Sequence, residues 1–495
     1  METGEKQFWL RMGMTKERPY VEKTVAMFTG LFIKANLFES APSALSALIV
    51  RYVGTVKSPP ARYVIDPVTY VFGVESEMHD GFGDDSALCH WRLLTKDDAA
   101  RKLRQDYHIP ETQEIPRNLM RDADTHGNID PGSDRKVEAL VLTRSYAHLA
   151  DKIFADSIRR KVGLRALGQA DFGVDNGVLD DFVGKVIDYQ QGTLKRCFEG
   201  VKYQELGETL PGPAYILSPY FYIKSDESLE FMTSIWHSFD AHQVANGAAV
   251  TMVSKSYFMN SWREIACALS HLEAKTVMIW IPELQEDLAT QDELVAFGQF
   301  VHTLASSNRL VINFYGGGFS MSLLSYGLAG LMNGPGYGLQ RSAIPVKGGA
   351  PAASFYIPTL GVRSGVLGAL QVMMSNPLIG SKQDFLDHVC SCPICRTAMS
   401  KSADDDYATA FWNYYGELVP SKTPGSNRLV PTRDATDRNA FHFLLARLLE
   451  FRAERQYSPA GSLQQLRTYR KSWPGRSGEH LDTWVRALVA LENGE

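Results

Sequence analysis

Ala248-Ala249-Val250-Thr251-Met252-Val253, Thr276-Val277-Met278-Ile279-Trp280-Ile281 and Arg309-Leu310-Val311-Ile312-Asn313-Phe314 are three apolar runs set at even intervals, and their reading decides the fold. None of them alternates apolar with polar residues, so each predicts a strand buried on both faces, the mark of parallel strands covered by helices. Trp262 to Leu272 and Asp292 to Ser306 carry the helical period between them. Working outward, Ala214-Tyr215-Ile216-Leu217-Ser218 predicts a strand, followed by a helix from Leu229 to His242. Downstream come a short helix from Ser320 to Tyr326 and two more strands, Leu328-Ala329-Gly330-Leu331-Met332 and Ser354-Phe355-Tyr356-Ile357. Upstream, Arg62-Tyr63-Val64-Ile65-Asp66 is a strand ending in an acid and stopped by Pro67, and residues 7–12 suit a first short strand. Six strands from 214 to 357 plus these two make eight, so the chain predicts an α/β fold, a (β/α)8 TIM-like barrel. A doubly wound sheet is the alternative, but no Gly-x-Gly-x-x-Gly follows the first strand.

The remaining segments fill in around that frame. Residues 20–53 are apolar and helix-like in parts, and Pro59-Pro60 breaks them off. Residues 76–135 are polar with scattered Gly, Asp and Pro, and 136–205 return to a helical period. The division that follows is a barrel over 1–385, with polar and helical insertions across 76–212, and a zinc-binding helical C-terminal subdomain over 386–495. With 44% hydrophobic and 22% charged residues the composition is globular, and a net charge of −5 excludes a uniformly basic nucleic-acid coat while allowing a local basic groove. Outside one cluster the cysteines are scattered (Cys89, Cys197, Cys267), which predicts free thiols and a reducing, cytoplasmic setting. No secretory h-region and no apolar run of about 18 residues is visible, so no membrane span is expected.

The cluster is Cys390-Ser391-Cys392-Pro393-Ile394-Cys395. Three thiols at C-x-C-x-x-C spacing suit a soft or borderline divalent ion, and zinc in a four-coordinate structural site is the expectation. His442 is the first choice for the fourth ligand, because it stands beside the apolar face that Phe441, Leu444, Leu445, Leu448 and Leu449 give a helix; His388 is the second. A redox pair or plain packing by buried thiols are the other readings of the same residues.

Candidate chemistry elsewhere follows from the barrel. Strand-end residues on the C-terminal face are where barrels place catalysis, which singles out Asp66, Glu283 after Pro282, and Lys255. Gly316-Gly317-Gly318 follows a late strand, and Gly317 and Gly318 can bring backbone N–H groups close to a flat ligand or phosphate, with Tyr337, Gln340 and Arg341 in reach; ordinary loop geometry is the alternative. From Arg455 to Arg476, Arg455, Arg467, Arg470, Lys471 and Arg476 interleave with Tyr457, Tyr469 and Trp473, a pattern that suits either a phosphate backbone with stacked bases or a solvated helix face.

The C-x-C-x-x-C motif with a later Ala440-Phe441-His442-Phe443-Leu444 helix resembles the zinc site of the tRNA-guanine transglycosylases and their DNA-acting relatives, over the final quarter of the chain. Members of that family are (β/α)8 barrels with the zinc motif just after the last barrel strands. The resemblance implies Cys390, Cys392, Cys395 and His442 as ligands of a structural Zn2+, a small planar base as substrate, and DNA or tRNA as partner. It also implies base exchange: an aspartate attacks C1′, guanine leaves, a 7-deazaguanine enters, and a second aspartate at an early strand end handles protons. Asp66 stands at the early position, followed by Pro67-Val68-Thr69-Tyr70 in place of the family's Ser-Gly-Gly-Phe. At the late position the chain has Gly327-Leu328-Ala329-Gly330-Leu331-Met332-Asn333, and an amide cannot be the nucleophile. The interval from Cys395 to His442 is longer than in the family. Two further readings stand beside exchange: a catalytically altered barrel that binds nucleic acid or a modified base within a larger complex, and an unrelated metal-stapled hydrolase.

Overall fold

Strands that are apolar throughout need cover on both faces, and the chain supplies it by laying helices around a ring of parallel strands. The structure, a computed structural model, describes residues 5–12, 17–53, 62–73, 144–159, 166–173, 176–198, 212–336, 339, 353–401, 406–421 and 429–494. The barrel strands are β1 (Gln7–Met12), β2 (Gly30–Lys34), β3 (Arg62–Asp66), β4 (Ile216–Leu217) with its continuation β5 (Tyr222–Ile223), β6 (Gly247–Val253), β7 (Thr276–Trp280), β8 (Leu310–Asn313) and β9 (Leu328–Asn333). They pair in parallel in the order β3-β2-β1-β9-β8-β7-β6-β4, with β5 also on β6. Between β3 and β4 a parallel bridge, Val64 to Tyr215, and the Ala214 N–H to Tyr63 carbonyl bond of 2.7 Å stand in place of a regular ladder, so the barrel is nearly closed. Pro213 and Pro219 flank β4 and contribute no N–H to a ladder, which keeps that strand short.

One of the eight strands differs from the sequence reading. Gly30-Leu31-Phe32-Ile33-Lys34, inside the stretch read as helix-like, is β2, buried throughout. A five-residue apolar run flanked by helices cannot be told from helix by periodicity alone. Ser354–Ile357, counted as a barrel strand, is instead β10, antiparallel to β11 (Val362–Gly365) outside the barrel.

Alternation along β1 sorts inside from outside. Trp9 meets Tyr215 across the barrel at 5.9 Å, and Gln7 donates to the Tyr215 hydroxyl at 2.8 Å while accepting from Trp9 Nε1 at 2.9 Å. Gln7, Trp9 and Arg11 therefore face inward. Phe8 faces outward and stacks on Phe451 of the helix Arg433–Glu454 at 5.1 Å. Ser225, Ser254, Thr290 and Thr432 accept a backbone N–H at the starts of the helices Asp226–Ala241, Lys255–Ser270, Gln291–Ser306 and Arg433–Glu454. Arg433–Glu454 fills the helix position after the last barrel strand, and Pro459–Ser472 and Glu479–Asn493 pack beyond it. No described helix is long and apolar enough to cross a membrane.

A candidate metal centre and the barrel mouth

Cys390 follows the helix Lys382–His388, and Cys395 lies in the first turn of Pro393–Lys401, so the C-x-C-x-x-C segment folds back over a helix start. Turning the chain this tightly aims the N–H of Cys392 at Cys390 Sγ and the N–H of Cys395 at Cys392 Sγ, both at 3.4 Å. His442, on Arg433–Glu454, completes a buried cluster of four ligand atoms within 4.8 Å of one another. Its Nδ1 lies 3.4 Å from Cys392 Sγ, 3.4 Å from Cys395 Sγ and 4.0 Å from Cys390 Sγ. Tetrahedral zinc with ordinary Zn–S and Zn–N bonds sets that separation at about 3.5 Å, so the donors fit such an ion.

The surroundings fix His442 for this role. Its Nε2–H donates to the Tyr356 carbonyl at 2.7 Å, which leaves Nδ1 as the lone pair facing the sulfurs. Phe355 stacks flat on the imidazole at 4.1 Å, and Tyr415 OH lies 3.2 Å from Cys395 Sγ. Hydrogen bonds from Cys390 and Cys395 hold the Cys392 thiol well below the usual thiol range, whereas the contact with Cys392 raises Cys390 and burial raises Cys395. A divalent ion among these donors would favour the thiolate form of all three cysteines. Four protein ligands leave a tetrahedral ion no open position, so such a centre braces the fold rather than doing chemistry. His388 sits elsewhere, with its carbonyl bound by Thr359 Oγ1 at 2.6 Å and its Nδ1 3.4 Å from Ser472 Oγ.

The C-terminal ends of the barrel strands carry a second concentration of polar groups. Arg11, at the end of β1, reaches Asp66, at the end of β3, with Nη2 2.9 Å from Oδ2; the two side chains are 3% and 0% exposed. Asp66 Oδ1 accepts from the Tyr220 hydroxyl at 2.8 Å and from the Val68 N–H at 2.9 Å. To return that N–H, Val68 adopts φ +48°, a left-handed conformation that β-branched residues avoid and that clusters at functional sites. Around the guanidinium stand Tyr315, Phe314, Phe32 and Trp280, with ring centres 4.4, 5.3, 5.5 and 6.0 Å from Arg11 Cζ. Tyr70 stacks on Tyr220 at 5.5 Å and meets Trp280 edge-on at 5.0 Å. Burial, then the Asp66 charge, pushes the Tyr220 phenol well up. Arg11 Nε, Arg11 Nη1 and Trp280 Nε1 are buried without a hydrogen-bond partner among the described residues. Lys34, the register partner of Asp66, is buried beside this group.

The other sequence candidates fall around this mouth in different ways. Glu283 is exposed and accepts from Tyr222 OH at 2.5 Å and from the Lys255 N–H at 3.1 Å, while the Lys255 ammonium pairs with Glu293 at 2.8 Å. In the glycine loop the groups that approach closely are the protein's own. A Cβ on Gly317 would lie 2.4 Å from Glu286 Oε2, and one on Gly318 2.5 Å from Trp484. Glu286 binds the N–H of Gly317 at 2.9 Å and of Ser320 at 3.0 Å, and its carboxyl is raised by burial. Tyr337, Gln340 and Arg341 lie outside the described residues. Asn333 turns outward: its Nδ2 donates to the Gly316 carbonyl at 3.1 Å and its Oδ1 accepts from Arg447 Nε at 2.9 Å. In the basic tail, Trp473 is buried with Nε1 on Thr359 Oγ1 at 2.8 Å and Arg470 pairs with Asp482 at 2.8 Å, while Arg455, Arg467, Lys471 and Arg476 are exposed.

Arg11, Lys34, Tyr220 and Trp280 escaped the sequence reading. Arg11 carries a usable signal, a charge in phase with Gln7 and Trp9 on an otherwise apolar strand. No protein-family model, curated protein or solved structure matches this chain.

Proposed function

We propose that this chain is a transglycosylase-like enzyme that exchanges guanine or 7-deazaguanine bases at C1′ in nucleic acid. The observation that carries the reading is Asp66, a carboxylate at a strand end on the catalytic face, held by Arg11 and Tyr220 inside a wall of aromatic rings. Aromatic faces suit a planar base, and a positioned carboxylate suits proton transfer at a departing ring. In this reading Asp66 handles the proton, and Glu283 on the rim attacks C1′. The base leaves with the C1′–N bond electrons, a glycosyl-carboxylate bond forms, and the incoming base displaces it to restore Glu283. Cys390, Cys392, Cys395 and His442 hold a structural Zn2+, since three thiolates and an imidazole suit that ion. The setting is cytoplasmic, as reduced thiols imply.

Labelled guanine and 7-deazaguanine offered with tRNA and with duplex DNA test this directly. Incorporation is expected, reduced 10²- to 10⁴-fold, by order of magnitude, in Asp66→Ala. No incorporation into either polymer, with Asp66→Ala indistinguishable from wild type, contradicts it. One observation favours a second reading: β9 ends in outward-facing Asn333, bound to Gly316 and Arg447, where an attacking acid is expected. In that reading the barrel binds nucleic acid or a modified base without turnover, and steeply salt-dependent binding in the absence of exchange distinguishes it.

A further inference from the structure

A partly open pocket lies behind the glycine loop, apart from the Arg11–Asp66 group and the thiol cluster. It is a cavity of ≈ 30 Å³ between the turn at residues 358–361, the last turns of Arg433–Glu454 and the two final helices, and its walls include Glu450, Glu454, Tyr457, Tyr469 and Trp484. Arg447 also borders it, but all five of its N–H groups are used, on Asn333, Tyr356, Glu450 and the carbonyls of Gly316 and Gly317. The Arg447–Glu450 pair at 2.8 Å is neutral as a unit. Glu454 forms no ion pair of its own among the described residues, and the Arg447 charge that attracts it is already shared with Glu450. It is 6% exposed, and one carboxylate oxygen accepts from Ser462 Oγ at 2.5 Å. Buried charges are normally paired, so a carboxylate on a pocket wall with no ion pair of its own is a place for a cation.

We propose that this cavity binds a small primary ammonium ion, with Glu454 as its counter-ion. The volume exceeds the ~10–15 Å³ that one water needs and leaves room for a few heavy atoms. Tyr457, Tyr469 and Trp484 offer rings that attract an organic ammonium, whereas a hard metal ion asks for six or so oxygens. Burial lifts the Glu454 carboxyl from 4.5 to about 7, the expected behaviour of a buried acid with no ion pair of its own. The site is independent of the base-exchange reading, and neither result below bears on that reading.

The test uses the full chain at pH 8, where Glu454 is ionised, and follows thermal unfolding against methylammonium chloride, with sodium chloride and tetramethylammonium chloride at matched concentrations. A saturable rise in Tm with methylammonium alone is expected. Glu454→Gln, which keeps shape and removes charge, and Ala453→Leu, which fills the cavity, should each weaken the apparent affinity by about tenfold or more. Equal responses to the three salts, or a Glu454→Gln chain that responds like wild type, overturn the proposal. Should Glu454→Gln fail to fold, titration of 15N-methylammonium by NMR against wild type and Ala453→Leu decides: loss of the bound signal in the filled variant supports the site, and an unchanged signal refutes it.

Discussion

A buried charge is tolerable when its partner is in place and costly when the partner is removed. Arg11 and Asp66 are nearly inaccessible, so Arg11→Met leaves Asp66, among the described residues, with hydrogen bonds from the Tyr220 hydroxyl and the Val68 N–H. We expect a loss of about 3–5 kcal/mol in urea unfolding, with the double variant Arg11→Met/Asp66→Asn recovering a large part of it. Recovery of nothing would show that the pair is not coupled. Glu454 makes the opposite case. Its folded-state pKa of about 7 lies above the unfolded 4.5, so between those values the native state binds more protons than the unfolded chain. Stability is therefore complete below about pH 4.5 and falls as pH rises toward 7, by about 3 kcal/mol as an upper bound from that shift. Glu454→Gln should unfold at higher urea than wild type at pH 8 and match it at pH 4; a difference that does not change with pH would contradict this. Single residues were legible in the sequence where position alone marked them, as with Asp66 closing an apolar strand before Pro67. Lys34 and Tyr220 acquire meaning only from register and from a chain reversal that no local pattern announces.

At the scale of elements, the alternating strands and helices from Ala214 to Asn333 read correctly because each strand is a buried run and each helix shows one apolar face. β2 was hidden for a physical reason: its five residues sit between helices and depend on tertiary pairing with β1 and β3. That pairing needs Gly30, since a Cβ there would lie 2.2 Å from the Arg62 carbonyl oxygen, a backbone atom with little freedom to yield. Gly30→Ala should cost roughly 1–3 kcal/mol, the usual range for overpacking, measured by chemical denaturation. An unchanged midpoint would mean that β2 and β3 are not paired in this register. β10 misled for the converse reason. Ser354-Phe355-Tyr356-Ile357 is strand-like and buried, but its burial comes from Arg433–Glu454, where Phe355 stacks on His442 and the Tyr356 carbonyl receives its Nε2–H.

At the scale of the molecule, the thiol segment and the last barrel helix are about fifty residues apart in sequence and meet at one point, with Nδ1 of His442 facing three sulfurs. The same helix carries Arg447, which grips the glycine loop after β8 and Asn333 at the end of β9. A metal on the four ligands would hold that helix against the barrel, so its removal should be felt in the glycine loop as well as in the subdomain. Chelation is expected to lower the unfolding temperature, with early loss of amide protection around Gly316–Ser320, because ligand binding of this kind contributes directly to folding free energy. The thiol motif was plain in the sequence, whereas the choice of His442 over His388 rested on helix phase; it is His442 whose Nδ1 lies near the three sulfurs. The most direct test of the account is the metal content of the chain purified without added metal or chelator, measured by inductively coupled plasma mass spectrometry. One zinc per chain, lost in both Cys392→Ser and His442→Ala and retained in His388→Ala, is the predicted result; a folded wild-type chain free of zinc would contradict it.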